Sequence, residues 1–190
     1  MVKRIGIDAR FYGPVGKGIG RYTQKLIESL EKLDSNNEYF IFLNQEGPIA
    51  RWARPELGFD SYQPANARFH KVLVNIPWYS IKEQLVLPNV LSQYHLDLMH
   101  FLHFNVPLFY QGRFIVTVHD LTLFDFNNAH GRDVLHQASY AAKKIFFKII
   151  FNRAIQKAQQ IIVDSNYTKE QLLKKIKMPS EKIKIINLGL

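Results

Sequence analysis

The chain has 190 residues, a net charge of +9, 47% apolar residues and no cysteine. This composition is typical of a globular protein with a sizeable core, and it excludes disulfides, thiolate metal sites and a cysteine nucleophile. The sequence has no apolar run near the roughly 18 residues of a membrane span. No apolar signal segment precedes the first strand, so the cytoplasm is the expected location. The positive charge predicts either an ordinary basic surface or a surface that binds an anionic partner. The sequence shows no nucleic-acid-binding motif.

Short apolar segments alternate with helical ones, which predicts a doubly wound, mostly parallel sheet of about seven strands with helices on both faces. Residues 44–66 contain three prolines and are predicted to form a surface loop. Without a linker or repeat, residues 1–190 are expected to form one Rossmann-like domain. The predicted strands are 4–9, 39–43, 68–74, 98–101, 114–118, 160–164 and 184–187. The predicted helices are 19–33, 81–94 with a break near Pro88, 131–159 and 167–176, the last capped by Ser165.

A glycine-rich loop joins the first strand to the first helix and contains Gly16, Lys17, Gly18 and Gly20. Backbone N–H groups at the start of a helix favour an anion, and glycine lets a phosphate approach the chain closely. The spacing departs from the GxGxxG pattern, and no Walker lysine motif is present. A tight strand-to-helix turn without a ligand therefore remains the alternative to a phosphate site.

His119 and Asp120 follow the fifth predicted strand. Ligands of open α/β sheets gather at the carboxyl ends of the strands, so these two side chains are candidates for substrate contact. His119 can donate a hydrogen bond to a sugar hydroxyl or a phosphate, and Asp120 can orient it or accept a proton. The alternative is structural, with Asp120 capping a turn and His119 packed against a loop.

His100, His103 and Asn105 follow the fourth strand at the same predicted edge. Two histidines without a third ligand do not predict a metal site, so hydrogen bonding within a cleft is the functional hypothesis and partial burial the alternative. The segment from Lys143 to Arg153 is basic and strongly apolar. This composition is typical of an interfacial helix on an anionic membrane, but a helix packed on the sheet explains it equally well.

A series of short motifs follows in order along the chain: IGIDAR (5–10), GKGIGRYT (16–23), PW (77–78), EQ (83–84), LP (87–88), DLMHF (97–101), NVPL (105–108), TVHDLT (117–122), VDSNYTKEQL (163–172) and KIKIINLG (182–189). These ordered motifs resemble the N-terminal domain of the family 4 glycosyltransferases, which are retaining enzymes of the GT-B fold. The resemblance extends over nearly the whole chain.

The resemblance implies that Gly16, Lys17 and Gly18 lie against the phosphates of a nucleotide-diphosphate sugar and that His119, with Asp120, lies beside the transferred sugar. The domain would bind a glycan or lipid-linked acceptor, for which His100, His103, Asn105 and Arg21 are the candidates. The reaction is expected to need no bound metal or other cofactor. A peripheral contact with the inner face of an anionic membrane is also expected, and nucleic acid is not.

In the family, a second Rossmann-like domain binds the donor nucleotide and stabilises the leaving diphosphate. That C-terminal domain is absent from these 190 residues, so the chain alone is expected to be inactive, because charge stabilisation is usually a large part of catalysis. The competing hypothesis is a non-catalytic module that binds a glycan, a membrane or a partner transferase.

Overall fold

The computed structural model describes residues 1–13, 17–44, 59–121 and 134–188, with the side chains of residues 17 and 134–143 outside that description. The described residues form a single sheet of parallel strands with helices on both faces. The strands are β1 (Arg4–Asp8), β2 (Glu38–Leu43), β3 (Phe69–Leu73), β4 (Leu98–Phe101), β5 (Phe114–Val118), β6 (Gln160–Val163) and β7 (Ile183–Ile185). The helices are α1 (Lys17–Leu33), α2 (Ile81–Leu85), α3 (Leu87–Ser92), α4 (Val134–Lys157) and α5 (Asn166–Lys175), with a 3₁₀ turn at Ser180–Lys182.

The order of the strands in the sheet is β3-β2-β1-β4-β5-β6-β7. The chain runs outward from β1 to β3, returns to β4 beside β1, and then continues to β7. The strand order therefore reverses between β1 and β4, and the loops at their carboxyl ends diverge there. In an open α/β sheet, this switch point is where ligands bind.

Two apolar layers cover the sheet. On one face, Ile27 of α1 packs with Ile7, Ile41 and Leu102. On the other face, helices α3, α4 and α5 pack over side chains of β2 and β3 as well as those of β4 to β7. Burial of both faces of the sheet explains why its strands are almost continuously apolar, as in other parallel sheets. The side chains that this second layer contributes from its helices include Leu87, Leu91, Phe151, Ala154, Ile155 and Leu172.

The predicted doubly wound parallel sheet is confirmed, and β4 and β5 have the predicted bounds. The predicted break lies at Val86, the residue between α2 and α3, and Pro88 is in the first turn of α3. Proline is tolerated there because the first helical N–H groups lack an intrahelical partner. The predicted cap is also confirmed, since the Ser165 hydroxyl accepts a hydrogen bond from the Thr168 N–H at 3.1 Å.

The predicted surface loop is only partly described, because residues 45–58 lie outside the described residues. Tyr62, in the described remainder, is buried in the α1 layer. Its hydroxyl donates a hydrogen bond of 2.8 Å to the Glu31 carboxylate of α1. This part of the segment belongs to the core, because an aromatic ring with a satisfied hydroxyl packs well against a helix.

Candidate functional site

Two groups of polar side chains lie at the carboxyl edge of the sheet. The first, here called the ionic cluster, consists of Asp8, Arg10, Glu83 and Asn105. The second, here called the histidine group, consists of His100, Tyr22, Thr117, His119 and Asp164.

The ionic cluster is centred on the buried guanidinium of Arg10. Its Nε and Nη2 donate to the two carboxylate oxygens of Asp8 at 2.7 and 2.8 Å, and Nη2 also donates to Glu83 at 2.7 Å. Nη1 donates to the Ile76 carbonyl at 3.2 Å. Planar geometry of this kind suits arginine, whose rigid fork matches a carboxylate. The cluster thereby joins the loop after β1 to the segment after β3 and to α2.

Glu83 links the cluster to the loop after β4. Its second carboxylate oxygen accepts hydrogen bonds from the Asn105 amide at 2.6 Å and from the Tyr79 N–H at 2.7 Å. The second bond stabilises an unusual backbone conformation, because Tyr79 has a φ of 55°, and non-glycine residues rarely adopt positive φ. One buried carboxylate therefore fixes the positions of two separate loops at the switch point.

The charges of the cluster depend on each other. Burial works to lower the pKa of Arg10, but Asp8 and Glu83 together outweigh it and raise that pKa above its ordinary value. Burial raises the pKa of Glu83, and the positive charge of Arg10 opposes that shift. Removal of one member would leave a buried charge without compensation, at a cost of about 3 to 5 kcal/mol.

The ring of His119 is held from two sides. Its Nδ1 lies 3.5 Å from a carboxylate oxygen of Asp164. The Tyr22 ring makes an edge contact with it, with the ring centroids 4.7 Å apart. Burial lowers the pKa of His119, while Asp164, Asp120 and the Leu102 carbonyl favour the charged ring. The carboxylate beside Nδ1 favours the neutral tautomer that is protonated there, so Nε2 carries a lone pair that can accept a hydrogen bond.

His100 lies behind this ring, inside β4. Its Nε2 is 2.8 Å from the Thr117 hydroxyl of β5, and the Thr117 side chain also interacts with Tyr22. Burial lowers the pKa of His100 to about 3, so the ring is neutral at physiological pH. His100 is thus placed to support Tyr22 and Thr117 from within the sheet, and its side chain is buried.

His103 and Asn105 lie in the loop after β4. The backbone N–H of Asn105 donates to His103 Nδ1 at 3.3 Å, and the His103 ring contacts Phe11 and Tyr79. Burial lowers the pKa of His103 to about 4. Because Nδ1 accepts a hydrogen bond, the neutral ring carries its proton on Nε2, which makes it a donor.

Unpartnered buried polar atoms collect at this edge of the sheet. Within the described residues, the buried side-chain atoms without a hydrogen-bond partner are Trp78 Nε1, Gln84 Nε2, Asn105 Oδ1 and His119 Nε2. They belong to segments that follow β3, β4 and β5. Buried polar groups are normally hydrogen-bonded, so two donors and two acceptors left open in one region indicate a place where a polar ligand completes the bonding.

The other predicted site residues are described to different extents. Gly16 and the side chain of Lys17 lie outside the described residues, whereas Gly18 is exposed in the first turn of α1. Arg21 is exposed on the same helix, and Asp120 is exposed next to His119. In Gly20, a Cβ atom would overlap the carbonyl oxygens of Gly13 and Phe11, so this glycine permits the helix to begin against the loop after β1.

Several site residues were missed by sequence reasoning. Asp8 and Arg10 carried a visible signal, since they are charged residues directly after a buried strand. Asp164 carried the same signal, because it directly follows β6. The pairing of Glu83 carried none, because Glu83 is 73 residues from Arg10. Among the described residues, no group of three histidine, aspartate or glutamate side chains is arranged to hold a metal ion.

A Rossmann-like sheet with polar groups at its switch point places the protein among α/β domains that bind ligands at the carboxyl edge. Residues 16–190 match the family model Glycosyltransferase Family 4, and the chain belongs to that family. No curated protein matches the sequence.

The domain is also similar to a solved structure, that of a variant of the wall teichoic acid polymerase TagF, with a TM-score of 0.54 and 14% sequence identity. The similarity covers 97% of this chain and 38% of that chain, so this chain spans well under half of the TagF structure. At this identity the likeness concerns the fold, which is a Rossmann-like domain similar to those of GT-B glycosyltransferases.

Proposed function

We propose that the chain is the acceptor-side domain of a retaining glycosyltransferase. In this proposal the enzyme transfers a sugar from a nucleotide-diphosphate donor to a glycan or lipid-linked acceptor. The observation that carries it is the set of unpartnered buried atoms at the switch point, above all His119 Nε2, in a chain of Glycosyltransferase Family 4. A sugar presents several hydroxyl groups, which can satisfy both open donors and open acceptors.

The histidine group supplies the chemistry in this proposal. His119 Nε2 accepts a hydrogen bond from a hydroxyl of the transferred sugar, with Asp164 and Tyr22 fixing the ring. Burial lowers the pKa of His119, and the negative charges of Asp164 and Asp120 only partly oppose that shift, so in this proposal the ring is neutral and Nε2 acts as the hydrogen-bond acceptor. Asp120, exposed beside the ring, completes this side of the site.

The acceptor is proposed to contact the loop after β4. His103 offers a donor and Asn105 Oδ1 an open acceptor, while His100 acts through Thr117 from inside the sheet. Arg21 is exposed on α1 and is proposed to meet an anionic part of the acceptor. Gly16, Lys17 and Gly18 are proposed to approach the donor phosphates, because α1 begins at Lys17 and the N–H groups of a first helical turn lack intrahelical partners.

We also propose that transfer requires a donor-binding domain beyond these 190 residues. The intact mass of the protein from its native source tests this point. A mass near twice the 22.2 kDa of this chain would support a continuous two-domain enzyme. A mass that matches this chain would leave only a separate subunit as the source of the donor site, and failure of every transfer assay with such a partner would contradict the proposal.

The role of His119 is tested with the His119→Ala variant of the complete enzyme, assayed with a panel of nucleotide-diphosphate sugars. We expect transfer to fall by about a hundredfold or more, with an unchanged circular dichroism spectrum. His70→Ala is the matched control, because His70 is exposed on β3 at the far edge of the sheet. Equal activity of the two variants would remove His119 from the mechanism.

A further inference from the structure

Four aromatic rings lie together at the carboxyl edge of the sheet, next to the ionic cluster. They are Phe11 in the loop after β1, Trp78 and Tyr79 in the segment after β3, and His103 in the loop after β4, here called the aromatic corner. All four are at least partly exposed, and the exposed fraction of Tyr79 is 46%. Aromatic rings most often serve core packing, so partly exposed rings that three loops bring to the switch point require another explanation.

The contacts between the rings give the corner its shape. Phe11 and Trp78 stack on each other, with their planes 26° apart. The centroid of the His103 ring lies 5.8 Å from that of Phe11 and 6.3 Å from that of Tyr79, and its plane is inclined to theirs by 43° and 84°. The rings therefore form an angled surface rather than a parallel slot that would receive a flat base.

Open hydrogen-bonding groups border these rings. The buried Nε1–H of Trp78 has no hydrogen-bond partner, and an indole nitrogen is a donor only. The neutral His103 ring offers a second donor at Nε2, because its Nδ1 accepts from the Asn105 N–H. The side-chain amide of Asn105 donates to Glu83 at 2.6 Å, which leaves its Oδ1 as an open acceptor. An apolar surface bordered by donors and an acceptor suits a ligand that combines the same properties.

A sugar ring combines them. The C–H groups on one face of a pyranose are apolar and carry partial positive charge, which suits the negative face of an aromatic ring. Its hydroxyl groups both donate and accept hydrogen bonds. A lipid chain on the same rings would leave the buried N–H of Trp78 unpaired, at an energetic cost. No helix in the described parts of the chain is long and apolar enough to cross a bilayer.

We propose that the aromatic corner is a binding subsite for a pyranose ring. The C–H face of the sugar packs against Tyr79 and Phe11. Its hydroxyl groups accept from Trp78 Nε1 and His103 Nε2. The Arg10 guanidinium lies over the Trp78 ring, with Cζ 5.8 Å from the ring centroid, and this cation–π contact helps to hold the indole in place. The scaffold of the ionic cluster thus supports the sugar-binding surface.

The aromatic corner is close to the histidine group. Burial, followed by the charges of Glu83 and Asp120, raises the pKa of Tyr79 to about 12. Burial and the charge of His119 lower the pKa of His103 to about 4, and Asp120 opposes that shift. A sugar on the corner would therefore lie beside the position proposed for the transferred sugar, as an acceptor must. Its assignment as the acceptor rests on the proposed function, whereas sugar binding itself does not.

Saturation-transfer NMR with the 190-residue chain tests the subsite. The probes are the methyl glycosides of glucose, galactose, mannose, N-acetylglucosamine and rhamnose, and the controls are glycerol and uridine. We expect saturation to pass to at least one glycoside, chiefly to the C–H protons on one face of its ring. Absence of transfer to every glycoside would overturn the proposal, and so would equal transfer to glycerol. Displacement of the bound glycoside by uridine would reveal a nucleoside site and overturn it too.

Tryptophan fluorescence locates the bound sugar. The chain has two tryptophans, Trp52 and Trp78, so the Trp52→Phe variant keeps Trp78 as its single indole. We expect the glycoside that binds best to shift the emission of this variant, because the indole N–H gains a partner. An unchanged emission spectrum at saturating glycoside would show that the sugar binds elsewhere and would overturn the proposal.

A matched pair of variants tests the role of the exposed ring. Tyr79→Asn removes the ring but tolerates the φ of 55°, since asparagine readily adopts this conformation. It should weaken glycoside binding about tenfold. The control, His95→Asn, makes the same kind of change at an exposed residue with a φ of 48°, which precedes β4 at the amino end of the sheet. Equal binding by the two variants would contradict the proposal.

Trp78→Phe tests the open donor separately. This variant keeps an aromatic ring without the N–H and should weaken glycoside binding about fivefold, the effect of one lost hydrogen bond. Urea denaturation checks that each variant is folded, and undiminished binding by folded Trp78→Phe would exclude the indole N–H as a sugar contact. All of these measurements omit the sugar donor, so a failure of the subsite is distinguishable from a failure of transfer by the complete enzyme.

Discussion

The ionic cluster and the histidine group lie at the same edge of one sheet and are built in opposite ways. In the ionic cluster, each charged group has an oppositely charged partner at 2.7 or 2.8 Å. In the histidine group, the nearest carboxylate is 3.5 Å from His119 Nδ1, and Nε2 has no partner among the described residues. The charged side chains of the ionic cluster are thus paired within the protein, although Asn105 Oδ1 at its border is open, whereas in the histidine group the central ring itself has an open nitrogen.

This difference indicates a structural role for the ionic cluster and a ligand-contacting role for the histidine group. Fully paired buried charges fix backbone positions, because any displacement breaks several bonds at once. An open, partly buried histidine is instead able to exchange a hydrogen bond or a proton with a ligand. We therefore expect substitutions of Asp8, Arg10 and Glu83 to act mainly on stability and substitutions of His119 and Asp164 to act mainly on function.

The largest effect on stability is expected for Glu83→Ala. This substitution leaves Arg10 with a single carboxylate partner and removes the acceptor for Asn105 and Tyr79, so the free energy of unfolding should fall by about 3 to 5 kcal/mol. Urea denaturation measures it. The control is Glu38→Ala, which removes a half-buried partner of Arg4 at 3.1 Å and should cost about 1 kcal/mol or less. Similar losses for the two variants would mean that the cluster is not the scaffold described.

The next largest effect on stability is expected for Gly20 and not for Gly18, although both glycines lie on α1. Gly20→Ala forces a Cβ against the carbonyls of Gly13 and Phe11 and should lower the free energy of unfolding by about 3 kcal/mol. A Cβ at Gly18 meets nothing within 4 Å, so Gly18→Ala should be neutral or stabilising by up to about 1 kcal/mol. If Gly18 approaches the donor phosphates as proposed, its variant loses transfer without losing stability. Full activity of a stable Gly18→Ala would contradict that role.

A pH-dependent effect of about 2 kcal/mol is expected from His100. Its folded pKa of about 3 lies below the ordinary value near 6.5, so the unfolded chain binds a proton that the folded chain refuses. Stability is therefore complete above about pH 6.5 and falls as the pH is lowered, by about 2 kcal/mol for this residue at pH 5. His100→Gln should remove that part of the fall between pH 7 and pH 5 in urea denaturation.

His70→Gln serves as the control for this measurement, since His70 is exposed on β3 and its variant should keep the full pH dependence. His103, with a pKa of about 4, contributes a further decrease in the same direction in all these proteins. An identical pH dependence for His100→Gln and the parent would show that His100 is accessible to protons in the folded state.

The smallest effect is expected for Asp164→Asn, and it concerns function rather than stability. Asp164 counteracts the lowering of the His119 pKa by burial, so its removal should lower that pKa further. In the complete enzyme, the acidic limb of the pH profile of kcat/KM should then move to lower pH. Asp97→Asn, next to Lys3 at the amino end of the sheet, is the control. A shift in the opposite direction would exclude His119 as the group that titrates.

The sequence predicted the fold better than it predicted the site. Strands β4 and β5 were predicted to the residue, because short apolar runs between turns are local signals. The position of His103, Asn105 and His119 at the carboxyl edge of the sheet was also predictable, because these residues come just after predicted parallel strands. The side-chain partners at the site were not predictable from the sequence. Pairs such as Arg10 with Glu83 form only when loops that are distant in sequence come together in the fold.

Helix α4 shows another limit of sequence reasoning. Its apolar residues surround the helix, so periodicity alone could not separate a buried face from an exposed one. Only the packing of Phe151 and Ile155 on the sheet identifies Ile145 and Ile149 as the outward side. The assignment of Tyr62 to a surface loop differed from the structure for a related reason, since its partner Glu31 lies on a helix far away in sequence.

The ionic cluster also has a consequence for protein engineering. Because Glu83 contacts Arg10, Asn105 and the Tyr79 backbone, the loops after β1, β3 and β4 form one interlocked unit. Exchange of a single loop with that of a relative would separate one member of the cluster from the others. A chimera that aims at a new acceptor should therefore transplant all three loops together with residues 8, 10, 83 and 105.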